Sequence, residues 1–577
     1  MKKLTQSILI LVLLLASCGK EDKSSTEQHT ASPSTVYFNG DIITMQGEQP
    51  EYAEAIAVRD GKIIFVGEKE QALKQANENP VEVDLKGKTL LPGFIDGHGH
   101  AWNAGFQAVS ANLLPAPDGT GNSIATIIDL LKDWKDKNPK AIEKYRAIIG
   151  FGYDDAQLKE KRHPTAADLD KVSDTIPVLI IHQSGHLGSM NHKALEIAGY
   201  KAGVKDPPGG VIRREKGSDK PNGVLEEMAL FIPLIKFMST LNPEANEIIA
   251  KAGVNAYIKF GYTTLQEGRA TKDACETWKK LAERNELPVD LAAYPDIQAE
   301  MAYMKANGVQ KDYNNHYRIA GVKLSLDGSP QGKTAWLTKP YVVPPPGKPK
   351  TYEGYPAIKE DEKVMAFFDS AFNNDWQILV HCNGDAASDQ FIRAASQATK
   401  KYGKKDRRPV MVHSQTVRFD QLDSMKALGV MPSFFSMHTY YWGDWHRDET
   451  LGKERAYKIS PTNTAMKKGM IFTEHHDAPV ALPSSIMILH TTVNRTSRSG
   501  DVIGPDERVS PYVALESITK WAAYQYFEED KKGMLKEGML ADLVILDKNP
   551  LKVAPENIKD IQVLETIKEG NTVFKKE

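Results

Sequence analysis

The stretch LLPGFIDGHGH, residues 90–100, carries the pattern that decides the fold. An apolar run leads directly into two histidines, His98 and His100. Residues two apart in a strand face the same way, so both imidazoles can reach one metal ion. Gly97 and Gly99 leave room for that ion. A lone histidine would more often be an ordinary hydrogen-bonded residue, but this pair predicts a strand that ends at a metal site.

Three later ionisable residues repeat this form. His381 ends the apolar run QILVH, His413 ends PVMVH, and Asp477 follows MIFTEHH. Imidazole and carboxylate groups together suit zinc and similar divalent metals. The intervals between the three residues fit one or two strand–helix units. We therefore expect them to meet His98 and His100 at the ends of neighbouring strands.

Lys323 is the unusual member of the set. In the run VKLSLD, strand alternation places Lys323, Ser325 and Asp327 on one face and the apolar residues on the other. A lysine inside a sheet or barrel is costly unless it is paired or chemically altered. Two interpretations stay open: a carboxylated lysine that bridges two metals, and a salt bridge to Asp327 or Asp477.

Apolar runs alternate with helical stretches through the middle of the chain. Examples are GYTTLQE, VDLAAY, GVKLSLD and GVMPSFF. This alternation favours a parallel sheet or a barrel, in which chemistry is carried at the strand ends. Strand-like runs also occur near both ends of the chain, where Asp60-Gly61 is a hairpin signal. These terminal strands could pair into one small sheet with the middle of the chain inserted between them.

The first residues of the sequence are typical of an export signal. MKK is basic, residues 8–16 form an unbroken apolar run, and small residues precede Cys18. This arrangement resembles the lipobox of bacterial lipoproteins, which implies acylation of Cys18; a plain signal peptide is the alternative. Residues 20–34 are polar and indicate a flexible tether. We therefore expect a protein anchored by lipid to a membrane of the bacterial cell envelope, on the periplasmic or outer-surface side.

Composition excludes several other classes. The 577 residues include 73 Lys and Arg against 75 Asp and Glu, a net charge of -2, which argues against a nucleic-acid partner. Three cysteines cannot form a disulfide framework. The hydrophobic fraction of 41% is ordinary for a globular protein and excludes a largely disordered chain.

Several motifs together resemble a known superfamily. PGFIDGHGH, GVKLSLDGS, HCNGDAA, HSQTV, HHDAP and GMLKEGMLADLVILDKNP have the order and spacing found in the amidohydrolase superfamily. HPTAADLDKVSDTIPVLIIHQSGHLGSMNHKALE, DPPGGVIRREKG, PNGVLEE and GYTTLQEG resemble its YtcJ-like (AepA-like) branch. The resemblance implies an α/β fold: a TIM-like (β/α)8 barrel with an inserted domain, plus a small β-sandwich built from both ends of the chain.

The resemblance also implies domain boundaries. They are residues 1–18 for the lipoprotein signal peptide and lipobox, 19–35 for the flexible tether, 36–90 and 535–577 for the composite β-sandwich, 91–104 and 241–534 for the metal-dependent hydrolase barrel, and 105–240 for the inserted domain.

Roles for individual residues follow from the same resemblance. It implies one or two divalent ions, with zinc the expected metal, and carboxylation of Lys323 is one implied state. The implied ligands are His98, His100, Lys323, His381, His413 and Asp477. Asp477 also handles the proton. His438, after the seventh strand, and His186, from the inserted domain, are candidates for hydrogen bonding to the substrate or the developing oxyanion, with structural hydrogen bonding as the alternative.

The sequence departs from the superfamily pattern in two places. After His381 the segment NGDAA lacks an arginine that many relatives carry after the aspartate. His475 and His476 stand where many relatives have Gly-Ser. An additional imidazole beside the metal could support a ligand or simply fill space.

The implied activity is hydrolysis of a non-peptide C–N bond in a small molecule, such as an amide, an N-formyl group or a cyclic amide, through a metal-bound hydroxide. The residues alone also allow an esterase or phosphotriesterase on the same barrel. A catalytically inactive, ligand-binding lipoprotein is a third interpretation. A homodimer is compatible with the sequence.

Overall fold

The computed structural model describes residues 33–76, 79–238, 241 and 243–577. The expected signal peptide, the lipidation site Cys18 and nearly all of the tether lie outside the described residues, so the lipid anchor and the envelope location stay predictions. Within the described ranges, no helix combines the length and the apolar character that crossing a bilayer demands.

Strands from both ends of the chain form one eight-stranded sheet, here called the terminal sheet. Leu543 pairs with Pro92 and Leu546 with Thr89 in antiparallel register, so the expected pairing of the two ends is observed. The strands are Thr35–Ile43, Tyr52–Arg59, Lys62–Gly67, Val81–Asp84, Thr89–Pro92, Leu543–Leu546, Val563–Lys568 and Asn571–Lys575. Asp60 and Gly61 both have positive φ, as a tight hairpin turn requires. A sandwich at this position, and the predicted domain boundaries, stay predictions.

Two parallel sheets hold the strand ends that carry the candidate ligands. The first contains Phe94–Ile95, Tyr262–Ala270, Asp290–Pro295 and Tyr317–Ile319. The second contains Gly321–Ser325, Gln377–Cys382, Val410–His413, Met431–Phe434 and Thr473–Glu474. Asp296 bridges Lys323 at one junction of the two sheets, and the Asp477 amide donates to the His98 carbonyl at 3.2 Å at the other.

Amphipathic helices cover the outside of these parallel strands. In the helix after the second strand, Thr271 caps the N-terminus by accepting from the Ala274 amide, and Cys275, Trp278 and Leu281 form its buried face. Helices that follow the parallel strands are Lys272–Glu283, Met301–Asn307, Asp361–Asn373, Asp385–Tyr402, Phe419–Leu428, His438–Tyr441, Gly443–Trp445, Lys453–Ala456, Thr462–Lys467, Ser485–Asn494, Pro511–Ser517 and Lys520–Gln525. A π-helix, His446–Thr450, and two 3-10 helices, Pro505–Glu507 and Pro555–Asp560, complete this region.

In the sequence, a six-stranded sheet is inserted between the parallel strands Phe94–Ile95 and Tyr262–Ala270. Its strands, all between residues 105 and 240, are Ala111–Asn112, Ile148–Tyr153, Val178–His182, Leu187–Met190, Gly210–Arg214 and Pro221–Glu227. Its neighbouring helices are Ala101–Ala108, Ile124–Lys137, Pro139–Tyr145, Ala166–Leu169, His192–Ala198, Met228–Met238 and Pro243–Ile258, and a further helix, Lys69–Gln75, follows the terminal hairpin. Helices Ala101–Ala108 and Pro243–Ile258 cross so closely that a Cβ at Gly105 or Gly253 would collide with backbone of the other helix.

A buried charge network ties the first parallel sheet to the terminal sheet. Asp290 Oδ2 lies 2.5 Å from Lys532 Nζ and 2.8 Å from Lys568 Nζ, and Lys568 also pairs with Asp542 at 3.0 Å. All four side chains are almost fully buried. The two ammonium groups hold the pKa of Asp290 well below its usual value, against the opposing effect of burial.

We expect Asp290→Asn to lower the free energy of unfolding by about 3–5 kcal/mol, because two buried ammonium groups would lose a shared counter-charge. A fall in the thermal midpoint at a fixed scan rate measures this effect. The matched control is Asp312→Asn, which breaks the exposed pair with Lys531 and should leave the midpoint unchanged. Equal midpoints for the two variants would contradict the structural role of this network.

Candidate metal centre

Five of the predicted ligands converge at the ends of four parallel strands. His98 follows Phe94–Ile95, His381 is the last residue but one of Gln377–Cys382, His413 ends Val410–His413, and Asp477 follows Thr473–Glu474. Asp477 Oδ1 lies 3.5 Å from His98 Nε2 and 3.3 Å from His100 Nε2, and its Oδ2 lies 4.0 Å from His413 Nε2. His381 Nδ1 is 2.9 Å from His413 Nε2.

These donor atoms fit a divalent metal. Separations of 3.3–4.0 Å match those between ligands that bind one ion at about 2.0–2.2 Å. Asp477 Oδ1 is buried and forms no hydrogen bond to any described residue, which is what an oxygen reserved for a cation would show. His98, His413 and Asp477 also place one donor atom each within 4.8 Å of one another.

Hydrogen bonds on the far side of the rings set their orientation. His98 Nδ1 contacts Gln266 Oε1 at 2.5 Å, and His100 Nδ1 contacts the Gly268 carbonyl at 2.5 Å. A carbonyl oxygen can only accept, so the His100 proton lies on Nδ1 and Nε2 is free to bind a metal.

Lys323 is the sixth predicted ligand, and it lies in the same group. Its Nζ is 2.9 Å from His98 Nε2, and it forms no salt bridge among the residues that the structure describes. The salt bridge to Asp327 or Asp477 considered from the sequence is therefore not observed. The Asp327 carboxylate instead accepts the backbone amides of Trp336, Asn383 and Gly384. Burial lowers the pKa of Lys323 to about 7, so a large share of this amine is neutral near neutral pH.

His475 supports a ligand. Its Nε2 lies 3.0 Å from His413 Nδ1, and its Nδ1 lies 3.0 Å from Ser433 Oγ. The ring therefore buttresses His413 from behind. His476 points elsewhere: it packs against Tyr257, and its Nδ1 accepts from the Ala478 amide at 2.8 Å.

Two of the candidate ligands adopt unusual backbone conformations. His413 has a φ of 70° and Asp477 a φ of 53°, in the left-handed region that residues with a Cβ rarely adopt. Such conformations cost about 1–3 kcal/mol each and cluster at functional sites.

A small pocket opens over the candidate ligands. Both predicted substrate-contacting histidines, His186 and His438, line it. The lining residues are Ser184, His186, Ser329, Gln331, His381, Asn383, His413, Phe435, His438, Asp477 and Val480. Trp102, Tyr153 and Trp442 are outside this set.

The two pocket histidines have different electrostatic environments. Burial would lower the pKa of His186, but the attraction and hydrogen bond of Glu227, at 2.8 Å from Nδ1, raise it above its usual value. Burial, reinforced by nearby imidazoles, holds the pKa of His438 well below its usual value. His186 is therefore a candidate cation and His438 a neutral donor or acceptor.

Sequence reasoning missed the residues that hold these histidines. His438 Nδ1 lies 2.9 Å from His446 Nε2, and His446 Nδ1 lies 2.9 Å from Thr450 Oγ1. Glu227 belongs to the motif PNGVLEE, which was noted without a role. The two carboxylates at the end of PNGVLEE are the signal that could have identified Glu227. Nothing in the sequence indicates the π-helix that contains His446 and Thr450.

A second cluster of possible metal ligands occurs at the six-stranded sheet formed by residues between 105 and 240. His182 Nε2 lies 3.1 Å from Asp155 Oδ1 and 3.5 Å from Asp154 Oδ1. However, the Ser184 amide donates to His182 Nδ1 at 3.0 Å, so the ring proton lies on Nε2 and faces the carboxylates. His182 Nε2 forms no hydrogen bond to any described residue, so this group is a buried His–Asp electrostatic pair. Trp442 Nε1 joins it by donating to Asp154 at 2.9 Å.

Comparison with known proteins gives consistent results. A sequence profile described as "Amidohydrolase family" matches residues 81–574. YtcJ of Bacillus subtilis (strain 168) is 24% identical over 563 residues, covering 94% of this chain and 99% of that protein. The N-substituted formamide deformylase of Arthrobacter pascens is 23% identical over 530 residues, covering 90% of this chain and 94% of that protein. An uncharacterized metal-dependent hydrolase from Pyrococcus horikoshii OT3 has 25% sequence identity and a TM-score of 0.71, with 90% of this chain and 99% of that chain covered.

Proposed function

The chain belongs to the amidohydrolase family and is a metal-dependent hydrolase, and from this premise we propose that it cleaves a non-peptide C–N bond in a small molecule. The candidate bonds are an amide, an N-formyl group and a cyclic amide. The observation that carries the proposal is the convergence of His98, His100, His413 and an unpaired Asp477 oxygen beside a pocket. An inactive binding protein would have no need to keep such a group assembled.

We propose that the two parallel sheets close into the (β/α)8 barrel of the family, with Tyr317–Ile319 and Gly321–Ser325, which only Ala320 separates, counted as one barrel strand. Contacts at both sheet junctions support closure, through Asp296 with Lys323 and Asp477 with His98. Strand ends then form a ring, and this ring is where barrel enzymes carry their chemistry.

His98, His100, His413 and Asp477 would hold the ion, with zinc as the expected metal, and His381 and Lys323 would hold a second ion if two are bound. When bound, such an ion lowers the pKa of water towards neutrality and polarises the carbonyl of the substrate. The neutral Lys323 amine can add to carbon dioxide: the nitrogen lone pair forms an N–C bond and one N–H proton is released, which leaves a carbamate. That carbamate would give the site a bridging anion at the position of Lys323.

The side chains around the ion divide the remaining work. Asp477 takes the proton from the attacking water and delivers it to the leaving nitrogen, as a general base and then a general acid. His186, held by Glu227, and His438 line the same pocket and would hydrogen-bond the carbonyl oxygen as negative charge develops on it.

The relative from Arthrobacter pascens, an N-substituted formamide deformylase, makes formamides the first substrates to test. We expect the protein to accelerate hydrolysis of an N-alkyl formamide or a cyclic amide, relative to the uncatalysed reaction, far more than hydrolysis of an aryl ester or an aryl phosphotriester. Normalising to the uncatalysed rate removes the intrinsic reactivity of aryl esters.

The measurement is kcat/KM for each compound with the zinc-loaded protein. A larger normalised acceleration for the ester or phosphotriester would favour the esterase interpretation and reject C–N cleavage. Tight binding without turnover of any of the four compound types would favour the inactive lipoprotein.

A further inference from the structure

Three neutral polar side chains that line one wall of the pocket each carry an oxygen with no hydrogen-bond partner among the described residues. Ser329 Oγ, Gln331 Oε1 and Asn383 Oδ1 are buried atoms without a hydrogen bond, and all three residues line the pocket together with Asp477. Each residue is less than a tenth exposed. Buried polar atoms are nearly always paired, so three unpaired atoms on one wall need an explanation.

We propose that this wall is a subsite for an uncharged amide or ureido group of the substrate, located away from the bond that is cleaved. The inference rests on the proposed function and specifies which small molecules the site accepts.

The direction of hydrogen bonding at Asn383 is fixed. Its Nδ2 donates to the Gly328 carbonyl at 2.8 Å, and it also lies 3.1 Å from His381 Nε2. Turning the amide over would place two acceptor oxygens against each other, so Oδ1 must be the atom left unpaired. This oxygen can only accept, and its complement is therefore an N–H or O–H group on the ligand.

Ser329 and Gln331 can complement the other half of an amide. A hydroxyl both donates and accepts, and a glutamine side chain offers one carbonyl and one NH₂ group. An amide or ureido group likewise carries donors and an acceptor. A wall with one fixed acceptor and two adaptable groups therefore matches it better than it matches an alkyl chain.

The loop that carries this wall is held in place. Ser329 donates its amide to Thr334 Oγ1 at 2.9 Å, and the Gln331 carbonyl accepts from Trp445 Nε1 at 3.1 Å. Asp327, just before the loop, accepts three backbone amides, including that of Trp336. A binding wall that is already rigid loses little conformational entropy when a ligand binds.

The wall itself offers no bidentate partner for an anionic ligand. Among the described residues that line the pocket there is no lysine and no arginine. The candidate cation His186 already has a carboxylate partner, Glu227, at 2.8 Å. A carboxylate or phosphate at this wall would therefore lack the paired N–H groups that anion sites normally provide.

Three formamides that differ only in their far end test this inference: N-formylglycinamide, N-formylglycine and N-propylformamide. They carry a primary amide, a carboxylate and an alkyl group at the same distance from the formyl group. We expect kcat/KM for the amide to exceed both that for the alkyl compound and that for the carboxylate about 10-fold.

The double variant Ser329→Ala, Gln331→Met removes the adaptable half of the wall and leaves the candidate ligands intact. We expect it to bring the amide and alkyl compounds to within about 3-fold of each other by lowering only the amide value. Circular dichroism and zinc content equal to those of the unsubstituted protein would show that the fold and the candidate ligands are preserved in this variant.

Calorimetric binding of the same three compounds to the zinc-loaded protein separates this inference from the proposed function. If no compound is hydrolysed, C–N cleavage of formamides is rejected, yet tighter binding of the amide compound would still support the subsite. Equal binding of all three compounds, or a preference that survives the double variant, would overturn it.

Discussion

Replacing Asp477 with asparagine is expected to lower kcat about 10²–10⁴-fold, which is the range for losing a general acid–base group. The substitution keeps the shape of the side chain but removes its negative charge and its ability to carry a proton between water and the leaving nitrogen. Its oxygen Oδ1 has no hydrogen-bond partner among the described residues and lies 3.3 Å and 3.5 Å from two imidazole nitrogens. Steady-state kinetics with the best formamide substrate measures the loss.

The control for this variant is Asp423→Asn, which removes an exposed carboxylate that pairs with Lys468. It should retain full activity. Metal content and circular dichroism of the Asp477 variant separate a catalytic defect from loss of the ion or of the fold. A variant that keeps its metal and most of its turnover would show that another group moves the proton.

Removing the metal should cause the second large effect. We expect chelator-treated protein to lose turnover at least about 10³-fold, because no side chain of the pocket can replace the polarising effect of a divalent cation. Adding zinc at 1,000 times its Kd should restore activity and raise the free energy of unfolding by about 4 kcal/mol. Elemental analysis measures the metal content, steady-state kinetics measures the turnover, and the thermal midpoint reports the change in stability.

His98→Ala is the variant that ties this result to the described site. Its Nε2 lies 2.9 Å from Lys323 Nζ and 3.5 Å from Asp477 Oδ1, so loss of this ring should prevent zinc from restoring either activity or stability. Full restoration of the variant by zinc would place the functional ion elsewhere in the chain.

The sequence was sufficient to predict where the candidate ligands meet. Each lies at the end of an apolar run, and parallel strands bring such ends to one edge regardless of the length of the intervening helices. This is why His98, His381, His413 and Asp477 could be placed together from short motifs alone. The pairing of the terminal strands followed from local alternation in the same way.

Side-chain partners were harder to predict, because they depend on distances that alternation does not determine. Lys323 and Asp327 share a face, yet Asp327 is occupied by backbone amides and Lys323 contacts His98 instead. The contact between Trp442 and Asp154 joins segments that are remote in the sequence. The π-helix that brings Thr450 to His446 has no hydrophobic period that could reveal it.

The left-handed backbone at His413 and Asp477 places this protein in a trade-off between durability and activity. Glycine at either position would relax the chain, and asparagine tolerates this conformation better than most residues do. Directed evolution that selects for thermal stability alone would therefore tend to replace His413 and Asp477, two of the residues that would hold the ion. Selection for turnover has to be applied at the same time, because the residues that cause the least backbone strain at these two positions would give an inactive enzyme.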